Sequence, residues 1–117
     1  MKIVRVILSP EAEEVYKYLN EKSANSKIEK SILLAINKKV ELIKLNTHYG
    51  NPIGKDLIPK MYKEQYGITN LFRIELPNRW RMLYSLTNGG TEIEIIAFVL
   101  DIIGHGTYDK KFGYKKN

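Results

Sequence analysis

The first apolar run, Lys2 to Leu8, is short and β-branched and stops at Ser9-Pro10, which predicts a strand followed at once by a helix start. Ser9 suits an N-cap, Pro10 fits the first helical position, and Glu11, Glu13 and Glu14 lie favourably against the helix dipole. Apolar Ala12, Val15, Tyr16 and Leu19 recur at helical spacing, so this helix should run to about Lys22 with one buried stripe. Polar Ser23-Ala24-Asn25-Ser26 interrupts the pattern. A second helix is expected from about Lys27 to Asn46, with Ile28, Ile32, Ala35, Ile36, Val40 and Ile43 on one face. So short a link predicts that the two helices pair antiparallel. From Tyr49 to Thr69, Gly50, Pro52, Gly54, Pro59 and Gly67 predict irregular chain, with one helical turn at Lys60 to Tyr66.

The last third reads as three strands, Leu71 to Leu76, Arg79 to Leu86 and Thr91 to about Ile103. The turn sequences Pro77-Asn78 and Thr87-Asn88-Gly89-Gly90 make them an antiparallel meander. Alternation puts Phe72, Ile74 and Leu76 on one side with Trp80, Met82, Tyr84 and Leu86, facing the helices. Arg73, Arg79 and Arg81 then share the opposite, open face. Trp80 is accordingly a core residue rather than a base-stacking one. The third strand is apolar on both sides, with Ile96, Phe98 and Leu100 alternating against Ile95, Ala97 and Val99. One of its two sets must therefore lie on the open face, and an apolar patch there predicts a protein partner. The expected architecture is α+β: a strand, two antiparallel helices, and a three-stranded meander completing a four-stranded sheet packed on the helices. The 117 residues suffice for a single domain, taken as 1–117.

Composition narrows the function classes. The absence of cysteine excludes disulfides, thiolate metal sites and cysteine nucleophiles. No apolar run approaches the roughly 20 residues of a membrane span, and Met1-Lys2-Ile3-Val4 leads into a strand rather than a signal peptide, so a cytoplasmic protein is expected. A net charge of +6 and a pI near 9.4 favour a polyanionic partner, although lysine-rich surfaces also serve solubility alone. The irregular stretch carries Lys55, Lys60 and Lys63 and is a candidate substrate-contact loop.

The order of elements resembles the RelE/ParE superfamily of toxin-antitoxin toxins along nearly the whole chain. Trp80-Arg81-Met82-Leu83-Tyr84-Ser85 is similar to the family's aromatic-Arg-aliphatic-aliphatic-Tyr strand, and Gly104-His105 with Tyr108 behind it resembles the family's Gly-His motif, with the tyrosine closer than usual. In the RelE branch the resemblance implies ribosome-dependent, metal-independent cleavage of messenger RNA without a cofactor, inhibition of translation, and a cognate antitoxin as partner. An antitoxin segment would then cover the apolar part of the open face. The chemistry uses the ribose 2′-hydroxyl as nucleophile, so the protein must take its proton, stabilise charge on the phosphate and protonate the leaving oxygen.

The resemblance implies Arg81, His105 and Tyr108 as the catalytic set. Arginine's planar fork matches two phosphate oxygens, and the alternative for Arg81 is an ion pair with Glu75 or Glu94. Arg73 and Arg79, with Lys55, Lys60 and Lys63, would contact RNA. Histidine suits proton transfer because its ordinary pKa is about 6.5, and Tyr108 could donate to a phosphate, stack on a base or simply pack. His48, expected to close the second helix, reads as a complement to its dipole. Two other functions remain open: a ParE-like inhibitor of DNA gyrase, and a non-catalytic module that binds RNA or antitoxin.

Overall fold

The computed structural model of the chain describes residues 2–91 and 94–113. Strand β1 (Ile3–Leu8) leads into α1 (Pro10–Lys22) and α2 (Lys27–Leu45). A short β2 (Asn51–Pro52), a 3-10 turn at Lys55–Leu57 and α3 (Lys60–Tyr66) precede β3 (Phe72–Leu76), β4 (Trp80–Asn88), β5 (Glu94–Ile103) and α4 (His105–Lys111). The protein is α+β, with one mixed five-stranded sheet in the order β1-β5-β4-β3-β2. β1 runs parallel to β5, and the remaining pairs are antiparallel.

Local chemistry accounts for the first helices. The Ser9 hydroxyl accepts from the Ala12 N–H at 3.0 Å and donates to the Leu100 carbonyl at 2.8 Å, so the N-cap also fastens α1 to β5. Ser26 caps α2 by accepting from Glu29 N–H, and Tyr16 Oη donates to Asn37 Oδ1 between the paired helices. His48 falls beyond the end of α2, in the following turn, where its N–H donates to Asn46 Oδ1 and its ring meets Phe72 edge-on.

Strand parity sorts the core as the sequence pattern requires. Phe72, Ile74, Leu76, Met82 and Tyr84 are buried with Leu19, Ile32, Ile36 and Ile43 of the helices, and Trp80 and Leu86 pack against this cluster. Tyr84 also holds the chain that follows α2. Its hydroxyl donates to the Thr47 carbonyl at 2.8 Å and accepts from the Gly50 N–H at 2.9 Å. A Cβ on Gly50 would lie 2.9 Å from a Tyr84 ring carbon and 3.1 Å from the Arg73 carbonyl, so the close approach requires glycine.

The second face of the sheet departs from expectation. It is not open, because α3, α4 and the flanking loops build another core from Ile58, Tyr62, Leu71, Leu83, Leu100, Ile103 and Tyr108. The register passes from Tyr84 opposite Val99 to Leu83 opposite Asp101, leaving Leu100 as an extra residue. This bulge puts Leu100 and Asp101 on the same side. Of the two apolar sets of the last strand, the one with Phe98 and Leu100 lies on this face, where Leu100 is buried in the second core and Phe98, partly buried, packs against it. Two further corrections concern the element count. Asn51–Pro52 adds an edge strand to the expected four, and α4 follows β5 where the sequence pattern predicts no element. Tyr114 and the last lysines, Lys115 and Lys116, lie outside the described residues.

Candidate functional site

β3 and β4 bring Arg73, Glu75 and Arg81 together on the second face, with Glu75 directly opposite Arg81 in register. One carboxylate oxygen of Glu75 lies 3.2 Å from Arg73 Nε and 3.4 Å from Arg81 Nε. Glu94, the other acid considered for Arg81, pairs instead with Arg5 at 3.4 Å.

Arg79 sits in the β3–β4 turn rather than in the strand. Asn78 and Arg79 both have positive φ, 59° and 62°, and Trp80 N–H closes the turn on the Pro77 carbonyl. Two successive left-handed residues give the hairpin a tight reversal matched to strand twist, at a conformational cost because neither is glycine. The turn directs Arg79 toward α4. Arg79 Nη2 lies 2.9 Å from His105 Nε2, and Arg81 Nη1 lies 3.5 Å from His105 Nδ1.

α4 supplies the rest. Asp109, one helical turn after His105, places Oδ2 at 3.1 Å from the same Nε2. Arg79 can donate only to a bare Nε2 and Asp109 can accept only from a protonated one. The nitrogen thus has a partner in either state, which suits a group that gives and takes protons. Tyr108 is buried, 1 % exposed, and stacks on Phe112 with ring centroids 4.2 Å apart. It still belongs to the cluster, because Arg73 Nη1 donates to its hydroxyl at 3.1 Å and the Arg81 guanidinium lies 4.5 Å from its ring centre. It underlies the arginines rather than presenting a face to solvent.

The structure thus brings Arg73, Arg79, Arg81, His105 and Tyr108, each named from the sequence, into one cluster. The three lysines are exposed and lie elsewhere along the chain: Lys55 follows Gly54, which lines a small cavity beside Arg73, while Lys60 pairs with Glu64 at 3.6 Å and Lys63 shares its helix. Glu75 entered the sequence reading only as a surface partner for Arg81. Asp109 was missed, since its spacing from His105 means something only once α4 is known to be a helix.

A second buried network seats α4. Asp101, with its side chain 7 % exposed, accepts from Tyr62 Oη at 2.7 Å and from Lys111 Nζ at 2.6 Å. Burial, reinforced by the bond to Asp101, pushes the Tyr62 phenol far above its ordinary value. On the other flank, Tyr66 and Gln65 of α3 donate to the two carboxylate oxygens of Glu11 at 2.9 and 3.0 Å. The Tyr66 bond holds the Glu11 carboxyl below its usual range, while burial first and Glu11 second push Tyr66 up to about 12.

Among the described residues, no three His, Asp or Glu side chains converge as a metal site would require, and no helix is long and apolar enough to cross a membrane. The fold and site define an α+β protein with a cluster of arginines, histidine and tyrosine at one end of the second sheet face. No protein-family model, curated protein or solved structure matches the chain.

Proposed function

We propose that this protein is a RelE-like toxin that cleaves messenger RNA on the ribosome without a metal ion and is restrained by a cognate antitoxin. The observation that carries the reading is the convergence of Arg73, Arg79, Arg81 and His105, drawn from two strands, a turn and a helix: Arg79 and Arg81 both approach His105, and Glu75 bridges Arg81 to Arg73. Phosphate chemistry calls for such a set: permanent cations for the charge that builds on phosphorus, beside a group that moves protons. In the reaction the 2′-oxygen attacks the adjacent phosphorus and loses its proton. The bond to the 5′-oxygen breaks, and that oxygen gains a proton. The products are a 2′,3′-cyclic phosphate and a 5′-hydroxyl end. Arg81 and Arg73 hold the phosphate oxygens, His105 moves a proton with Asp109 beside it, and Arg79 adds charge at the entrance. In the free protein Glu75 occupies the guanidiniums, and an incoming phosphate displaces it.

The test is cleavage of mRNA by the purified protein on translating ribosomes, with the new ends analysed for cyclic phosphate. Arg81→Ala should remain folded and lose about 100- to 1,000-fold in rate, the usual cost of removing a charge-stabilising donor. Unchanged cleavage in that variant would remove the central residue of the reading. Inhibition of supercoiling by pure DNA gyrase, with no RNA cut, would assign the protein to the ParE-like alternative instead.

A further inference from the structure

The arginine cluster continues sideways into a cavity that the reaction does not use. It lies at the β2–β3 edge of the sheet, has a volume of about 320 Å³, and is lined by Lys39, Tyr49, Gly50, Asn51, Arg73 and Glu75 among others. Because β2 pairs with Phe72 and Arg73, no strand among the described residues covers Ile74 and Glu75 on that side. Arg73 is therefore shared between the cavity and the cluster.

Tyr49 forms one wall as a fixed aromatic surface. It is 38 % exposed, yet its backbone is held on both sides: its own N–H donates to the Asn46 carbonyl at 2.9 Å, and the next residue, Gly50, is fastened to Tyr84 Oη. Lys39 Nζ lies 3.0 Å from the Tyr49 hydroxyl but 5.3 Å from the ring centre. The ammonium therefore sits toward the hydroxyl end of the ring rather than across the middle of its face. An accessible aromatic ring with a flexible cation at its rim, in a cavity that an arginine of the cluster also lines, matches the pairing by which single-stranded nucleic acid is held: a base on the ring, a phosphate on the cation. The bases of a single strand are free to stack on such a ring, which suits single-stranded rather than paired RNA.

We infer that this cavity is a nucleotide subsite for single-stranded RNA, in which Tyr49 stacks on the base next to the scissile phosphate and Lys39 contacts the following phosphate. The subsite rests on the proposed reaction for its position but binds independently of it.

The experiment is equilibrium binding, by fluorescence anisotropy, of a labelled 2′-O-methyl oligoribonucleotide, which cannot be cleaved, together with a series of the same strand made abasic at one position at a time. Tyr49→Ala should weaken binding of the intact strand by about 5- to 100-fold, the range for loss of one stacked base, while Tyr49→Phe binds like the parent. The Tyr49→Ala loss should vanish for the strand abasic at one particular position. Lys39→Gln should lower the slope of log affinity against log salt by about 0.7, as for one released counterion. Parent-like binding by Tyr49→Ala overturns the subsite, and so does an equal loss on every abasic strand, which would mark a merely structural role. Absence of binding by the parent also overturns it. Cleavage by Arg81→Ala separates the two ideas: a Tyr49 binding effect with unchanged cleavage by Arg81→Ala leaves the subsite standing and removes the arginine site, and lost cleavage by Arg81→Ala with parent-like binding by Tyr49→Ala does the opposite.

Discussion

Glu75 places one oxygen between the Nε atoms of Arg73 and Arg81, and its side chain is about half exposed. At that exposure the pairs contribute no more than about 1 kcal/mol each. Substituting Glu75→Gln keeps the shape and removes the charge that a phosphate must displace. RNA affinity should then rise by about two- to fivefold in a binding titration. Weaker binding would show that Glu75 itself contacts the RNA. Arg79 poses a different trade at the same scale. Its φ of 62° suits glycine better than any residue with a side chain. Arg79→Gly should raise stability by about 0.5–1 kcal/mol in thermal or denaturant unfolding. It should also lower cleavage, because the 2.9 Å contact with His105 disappears. A lower melting temperature would contradict the idea that a strained turn is kept for the arginine.

Among the elements, α4 matters most to the site and has the least helical character of its own. It has seven residues, including Gly106 in its first turn, and a helix that short is not stable in isolation. What forms it is docking: Tyr108 and Phe112 enter the second core, and Lys111 reaches the buried Asp101 carboxylate. Removing the lysine leaves the buried carboxylate without its ammonium partner, an arrangement that costs about 1–3 kcal/mol. Lys111→Met should therefore destabilise the protein by about that amount and speed hydrogen exchange in α4 well before β4 is affected. Cleavage should fall with it, since His105 and Asp109 ride on the same helix. Exchange that accelerates equally throughout would mean that α4 does not open separately.

At the level of the whole molecule, three buried or half-buried tyrosines tie the outer elements to the sheet and to α1. Burial raises Tyr62 and Tyr84 above the ordinary value of 10.0 and takes Tyr66 to about 12. Above pH 10 the unfolded chain releases these protons while the native state keeps them. The native state then binds more protons, so stability falls as pH rises, by up to about 1.4 kcal/mol per pH unit for each tyrosine. Their contribution is complete below pH 10 and is lost progressively as pH climbs toward and beyond 12. Urea unfolding followed between about pH 9 and 11.5 should show this decline, and Tyr62→Phe should make it shallower. A slope unchanged by that substitution would exclude Tyr62 from the linkage.

The sequence by itself determined what depends on neighbours a few residues apart. The limits of α1, the start of α2 and the short α3 followed from caps, prolines and helical spacing. The packing of Trp80 against the first core and the placing of Arg73 and Arg81 on the other face followed from strand alternation. Only the tertiary structure decided the parallel pairing of β1 with β5, the two-residue pairing of β2 with β3, and the closing of the second face by α3 and α4. Each of these joins segments distant in sequence, and no local pattern encodes the partner. The site divides the same way. Arg73 and Arg81 were legible because they lie on two consecutive strands, whereas the turn position of Arg79, the approach of Asp109, the seating of His105 and the Tyr49 cavity depend on packing against the sheet, which orders chain whose local signals are too weak to specify its structure.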